Sequence, residues 1–255
     1  MRKRMIPLFV CFIAAFLRAA DRPNFVWLIS EDNSVHYLDL YHKTGAPTPE
    51  ISKLAKEGIV FNHAFSTAPV CSTARSALAT GSYGARIFTQ NHRAREKVNL
   101  AKGTPPVYAV MRDAGYHTSN KGKKDYNFTW SGTQWESKND WRGRAPGQPF
   151  FHKRTFMGTH EGRLHKHSGR KWLKKGQTDG VFVIPRHPDT FTFRNTHEAY
   201  NNMITWMDTS VGTVIAELEQ DGLLEDTFIF YFGDHGGVLP GSKGYVYETG
   251  LHVPL

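Results

Sequence analysis

Two stretches of the chain are apolar almost without interruption: Asn24–Ser30 (NFVWLIS) and Thr227–Gly233 (TFIFYFG). Short runs of this kind, rich in aromatic and branched residues and bounded by polar ones, predict strands buried on both faces of a parallel sheet. Pro149–Thr159 (PFFHKRTFMGT) and Tyr116–Lys124 (YHTSNKGKK) predict two more, the second emptying into a basic loop. Between these lie helical patterns. In His197–Gln220 the residues Tyr200, Met203, Ile204, Met207, Val211, Val214, Ile215 and Leu218 recur at three- and four-residue steps, a stripe that packs on a sheet. Asp208 interrupts nothing and needs no catalytic role. Thr48-Pro49 opens a helix that Gly58 closes, and Pro106–Ala114 forms another with Gly115 as its stop. Strands alternating with helices predict an α/β fold with a largely parallel central sheet and helices on both faces.

The first residues have a different texture. Arg2, Lys3 and Arg4 precede an apolar run from Ile6 to Leu17, and small residues Ala19 and Ala20 follow. That is the anatomy of a secretory signal peptide over residues 1–20, and the apolar run is short for a membrane span. The expected mature chain is therefore exported, with no stable span after cleavage. The full sequence, 255 residues with 40% hydrophobic content, suffices for one domain with a sizeable core. A net charge of +9 suits an anionic partner. Export argues against nucleic acid; a sulfated or phosphorylated substrate fits both facts.

Cleavage removes Cys11 and leaves Cys71 as the sole cysteine. A lone thiol in an oxidising compartment is unusual, and chemical modification resolves the tension, although a simply buried thiol survives export too. Cys71 stands in Ala68–Gly81 (APVCSTARSALATG), where Pro69 excludes helix beforehand and Ala74, Ala77, Leu78 and Ala79 favour it afterwards. Cys71 thus falls at a helix N-terminus, with Arg75 one turn along the same face. Free N–H groups, the positive dipole end and a guanidinium all suit an oxyanion.

Acidic residues close the two buried strands. Glu31-Asp32 follows the first and Asp234-His235-Gly236-Gly237 the last, at strand ends where open α/β sheets place ligands. Adjacent carboxylates are best tolerated around a hard divalent cation such as Ca²⁺ or Mg²⁺.

The Cys71 stretch resembles the signature of the formylglycine-dependent sulfatases, Cys-x-Pro/Ala-x-Arg followed by a helix; Thr73 departs from it. The resemblance runs from Pro23 to Leu255 and implies an alkaline-phosphatase-like fold. It implies that a separate maturation enzyme oxidises Cys71 to formylglycine, whose hydrate attacks sulfur with Arg75 beside it. Glu31, Asp32, Asp234 and His235 would hold Ca²⁺ or Mg²⁺, with Glu31 standing where the family usually has Asp. His235 has an alternative role in orienting sulfate. Lys123 and Lys243 match the sulfate-binding lysines, and His160, in Thr-His-Glu, matches the histidine that protonates the leaving group. Asp125 occupies the place of a family histidine, and His187 lies in a region near the family's site.

The implied reaction is hydrolysis of a sulfate ester or sulfamate, with a sulfated glycan as substrate. The Glu-Asp-Asn, Asp-His-Gly-Gly and Thr-His-Glu versions resemble the heparan N-sulfatase-like and bacterial glycan-sulfatase branches. Family members continue well beyond Val-Pro-Leu, so residues 21–255 read as the N-terminal portion of a truncated catalytic domain. Two alternatives stand beside this. One is a phosphoester hydrolase of the same superfamily, for which Ser72 and Thr73 are offset nucleophiles. The other is an inactive sulfated-glycan binder, suggested by Thr73, Asp125 and the shortened chain.

Other features carry expectations of their own. Thr129–Gly147 reads as an inserted loop near the site, and Asn127-Phe128-Thr129 as a glycosylation acceptor. Gly162–Gly176 reads as a basic surface loop, while His152, His165 and His167 read as solvated.

Overall fold

A computed structural model describes residues 22–167 and 178–255, so the first 20 residues, where a signal peptide is expected, and most of the basic run lie outside the described residues. The chain order is β1 (Asn24–Ser30), α1 (Pro49–Glu57), α2 (Cys71–Thr80), β2 (Val98–Asn99), α3 (Val107–Asp113), β3 (His117–Lys121), β4 (Phe128–Thr129), β5 (Phe150–Phe156), α4 (Glu161–His167), α5 (Phe191–Gln220), β6 (Thr227–Gly233) and α6 (Glu248–Leu251). Four strands form a parallel sheet in the order β3-β5-β1-β6, while β2 and β4 make a separate two-stranded pair.

Register explains the burial. Along β1, Val26 and Leu28 face one way, into a core completed by Tyr200, Met203, Ile204, Met207, Val211 and Leu218 of α5 and Ile51 of α1. Phe25 and Trp27 face the other way, toward Phe151, Ala79 of α2 and Tyr108 and Ala109 of α3. The sheet thus carries helices on both faces, as the alternating pattern predicts.

Helix α5 begins at Phe191, upstream of the expected His197, because Thr190 caps it by accepting a hydrogen bond from Phe193 N at 3.4 Å. Asp208 caps a different helix. Its carboxylate accepts from Glu50 N at 3.0 Å and Ile51 N at 2.9 Å, satisfying the first turn of α1, for which Thr48 supplies no side-chain cap. Strands β3 and β5 are shorter than expected: β3 ends at Lys121 and β5 at Phe156, before the turns that carry Lys123 and His160.

The Thr129–Gly147 segment packs beside the sheet edge instead of lying at the site. Ser119 bridges to Ser137, and fully buried Trp141 stacks on Phe150 and donates from Nε1 to Asp221 at 2.7 Å. Asn127 is also buried, donating from Nδ2 to Thr89 O at 3.0 Å, which is the wrong setting for a glycosylation acceptor. His152 is buried rather than solvated, its Nδ1 2.8 Å from Ser119 Oγ.

Because all four strands run parallel, their C-terminal ends open on one edge. From β1 the chain goes to β3 and β5 on one side, then crosses to β6 on the other, so the connections diverge at the tip of β1. The four turns leaving that edge carry Glu31-Asp32, Lys123, His160 and Asp234-His235.

Candidate active site

Cys71 is the first residue of α2 and is fully buried, with Val70 as N-cap. Its Sγ lies 3.2 Å from His235 Nε2 and 3.7 Å from Asp32 Oδ1. Gly81, in the left-handed conformation with φ of 62°, ends the helix. Arg75, one turn on, is buried too. It donates from Nη2 to Glu31 Oε1 at 2.7 Å and from Nε to Asp234 Oδ2 at 3.0 Å, tying the tips of β1 and β6 to the helix. Thr73 turns away, donating to Gln90 O at 3.3 Å, so the residue that departs from the family signature has a structural contact of its own.

Asp32, Cys71, Asp234 and His235 place one potential ligand atom each within 4.8 Å of one another. Asp32 sits at φ of 50°, outside the range most side chains adopt, and its backbone N–H donates to Asp234 Oδ1 at 3.0 Å. Burial alone would raise the Asp32 carboxyl. The His235 contact, the Lys243 ammonium and the Glu161 N–H outweigh it, holding the group far below the usual carboxylate range. His235 Nδ1 lies 3.0 Å from Gly236 O, a hydrogen bond that turns Nε2 toward the two carboxylates. Two buried carboxylates and an oriented imidazole converging on one point fit a divalent cation.

Glu31 stands outside this four-residue group. Its carboxylate is taken by Arg75 and by Lys123 Nζ at 2.9 Å. Burial and the Asp234 charge push it up to about 7 against the pull of both cations. In this geometry it supports the cationic residues around the ligand group.

Lys243 Nζ lies 2.9 Å from Asp32 Oδ2 and 3.0 Å from Glu161 Oε1. Lys123 reaches the site because Gly122, at φ of 115°, turns the chain against Thr155 where a Cβ would meet that residue's backbone. His160 Nδ1 accepts from Gly162 N at 3.0 Å, which leaves the proton on Nε2, 3.8 Å from Glu31 Oε2. All nine residues expected to form the site are thus joined in one contact network.

Sequence reasoning missed four supports. Tyr200 of the α5 core stripe donates its hydroxyl to Asp32 O, and Thr159 Oγ1 donates to Glu31 O at 2.5 Å. Glu161 N donates to Asp32 Oδ2 at 2.8 Å. Lys153, fully enclosed, donates to Lys123 O and Tyr126 Oη at 3.0 Å each, and burial with the Arg75 charge drives its ammonium pKa far down. The Thr-His-Glu tripeptide held a signal for Glu161. Lys153 lies on β5 among aromatics, and nothing in its local sequence marks it.

Two weaker expectations change. Asp125 does not resemble a free base. Burial would raise its pKa, but Arg93 and Lys123 hold it below the usual range. His187 is buried away from the cluster, against His197 at 3.1 Å and Pro240 O at 2.8 Å.

Comparison with known proteins shows the family. An ulvan-active sulfatase of Formosa agariphila is 34% identical over 95% of this chain and 48% of its own length. The human N-sulphoglucosamine sulphohydrolase is 24% identical over 92% of this chain and 55% of its own. The chain therefore spans about half the length of these curated relatives. Among solved structures, a 2-O GAG sulfatase superposes with a TM-score of 0.71 at 14% identity, covering 92% of this chain and 63% of that one, a likeness of fold. The Sulfatase family model matches residues 23–144 and 135–255, and the chain belongs to the sulfatase family.

Proposed function

We propose that this chain carries the catalytic centre of an exported enzyme that hydrolyses sulfate esters or sulfamates on a sulfated glycan. The supporting observation is the convergence of Cys71, at the start of α2, with Asp32, Asp234 and His235 inside a ring of Arg75, Lys123 and Lys243. A metal-free nucleophilic thiol does not need two buried carboxylates beside it. An oxygen nucleophile bound to a hard cation does.

A formylglycine made from Cys71 by a maturation enzyme would supply the attacking oxygen as its hydrate. A Ca²⁺ ion, or Mg²⁺, held by Asp32, Asp234 and His235 would supply Lewis acidity toward sulfuryl oxygens. The chain's own residues do the rest. Arg75 fixes the two acidic strand tips against α2 and keeps the residue-71 side chain in a cationic field. Lys123 and Lys243 are placed to take sulfuryl oxygens as negative charge grows on them. His160 presents Nε2–H to the leaving oxygen or nitrogen, and imidazole suits proton transfer near neutral pH.

Glycan as the substrate class rests on the named relatives and on the net charge of +9. Export rests on the basic, apolar and small-residue sequence of the first 20 positions. The test is sulfate release from an aryl sulfate and from sulfated polysaccharides, after co-expression with a formylglycine-generating enzyme and with Ca²⁺ present. Release from the intact chain that vanishes in Cys71→Ala supports the reading; release that survives in Cys71→Ala overturns it.

A further inference from the structure

The segment before β2 is docked on the nucleophile helix at two adjacent residues, Thr73 through Gln90 O and Ser72 through His92 and Arg93. Ser72 Oγ accepts from Arg93 N at 2.8 Å and lies 2.9 Å from His92 Nδ1, so the residue next to Cys71 holds the backbone of Arg93. Asn127 fastens the same segment from below through Thr89 O. The Arg93 side chain, 54% exposed, then reaches across to the turn after β3. Its Nε lies 3.3 Å from both Asp125 oxygens and its Nη2 3.0 Å from Oδ2. Asp125 in turn lies 3.4 Å from Lys123 Nζ. Both members of the Arg93–Asp125 pair have left-handed backbones, at φ of 48° and 51°. Neither is glycine, so each conformation carries strain that the surrounding contacts must hold.

A guanidinium has two edges that can take a carboxylate or sulfate in bidentate fashion. Asp125 occupies the Nε–Nη2 edge. Nη1 has no hydrogen-bond partner among the described residues, which leaves the Nη1–Nη2 edge oriented and available beside Lys123. Resting on the glycan reading above, we propose that Arg93 is a specificity residue that binds a second anionic group of the substrate, a carboxylate or sulfate on the sugar unit carrying the scissile group or on its neighbour. Asp125, in the place of a family histidine, is the positioning residue that aims it.

The experiment measures binding by calorimetry to the full chain with Cys71 left unmodified, so that turnover is not required. The probes are a sulfated disaccharide with a uronate carboxylate, its carboxyl-reduced counterpart, and a form carrying a second sulfate in place of the carboxylate. The intact chain is expected to prefer one or both doubly anionic probes over the reduced one by ~10–100-fold, the worth of one charge-assisted bidentate contact. Which of them is preferred distinguishes carboxylate from sulfate. Arg93→Ala should erase the preference, and Arg93→Lys, which keeps charge but loses the fork, should retain only part of it. Thermal melting of each variant checks the fold, and Asp125→Asn should weaken the preference without removing the guanidinium. A preference that survives in folded Arg93→Ala, one that is undiminished in folded Arg93→Lys, or no preference in the intact chain overturns the assignment. Should the aldehyde-bearing chain release no sulfate while Arg93 governs the preference, the sulfatase reading fails and the Arg93 site stands.

Discussion

Arg75 Nε lies 3.0 Å from Asp234 Oδ2, joining residues 159 positions apart in a fully buried ion pair. The same guanidinium holds Glu31, so one side chain binds the tips of two neighbouring strands to the helix that begins with Cys71. Arg75 therefore carries a structural role as well as a place beside the residue-71 side chain. Removing the cation strips a buried charge partner from both carboxylates, leaving Glu31 to Lys123 and Asp234 to the N–H groups of Asp32 and His235; breaking a buried pair in this way costs about 3–5 kcal/mol. Arg75→Ala should therefore lower the melting temperature as well as abolish turnover. An unchanged melting temperature would show that the clamp contributes nothing to stability.

Cation binding should oppose that loss. An ion that binds the folded state adds about 2.7 kcal/mol when present at 100 times its dissociation constant. Ca²⁺ is expected to raise the melting temperature of the intact chain, chelator to reverse the rise, and Asp234→Asn to blunt it. Equal melting temperatures across a Ca²⁺ titration would remove the ion from the Asp32–Asp234–His235 cluster.

His160 should matter in proportion to the leaving group. An alcohol of a sugar ring needs a proton as its bond to sulfur breaks; a nitrophenolate does not. His160→Ala should slow hydrolysis of a sugar sulfate by ~10²–10⁴-fold and of an activated aryl sulfate much less. Equal losses on both would argue that His160 binds substrate without donating a proton.

Stability should fall in mild acid because of histidines remote from the site. Burial pushes His152 down to about 3 and His197 down to about 4. Each stays neutral when folded but takes a proton when unfolded, so each destabilises the fold as pH drops below the unfolded value near 6.5. For His152 the loss at pH 5 is roughly 2 kcal/mol. Urea denaturation at pH 7 and pH 5 should show a smaller drop for His152→Gln than for the parent chain; an identical drop would place the acid sensitivity elsewhere.

Much of the architecture was legible because buried parallel strands and a long amphipathic helix leave strong periodic signals. Asn24–Ser30 and Thr227–Gly233 match their strands residue for residue. The acid pairs at their ends gained meaning from that placement, since strand direction decides which end opens on the cleft. What escaped notice depended on contacts across the fold. Asp208 interrupts no pattern and shows its role only once α1 is docked on α5, and Lys153 gains one only when Tyr126 and the Lys123 carbonyl close around it. His152 went unrecognised for a related reason: its burial depends on Trp141, from a segment with no periodicity at all. Glu31 shows the limit from the other side, because a dipeptide of acids cannot reveal which carboxylate an arginine will claim.

The most direct test is the mass of the peptide bearing position 71, read beside sulfate release, after expression with and without the maturation enzyme. Conversion of the side chain from thiol to aldehyde is predicted, with sulfate release rising in step with the converted fraction. A chain that releases sulfate at full rate while every copy retains its thiol would contradict the account.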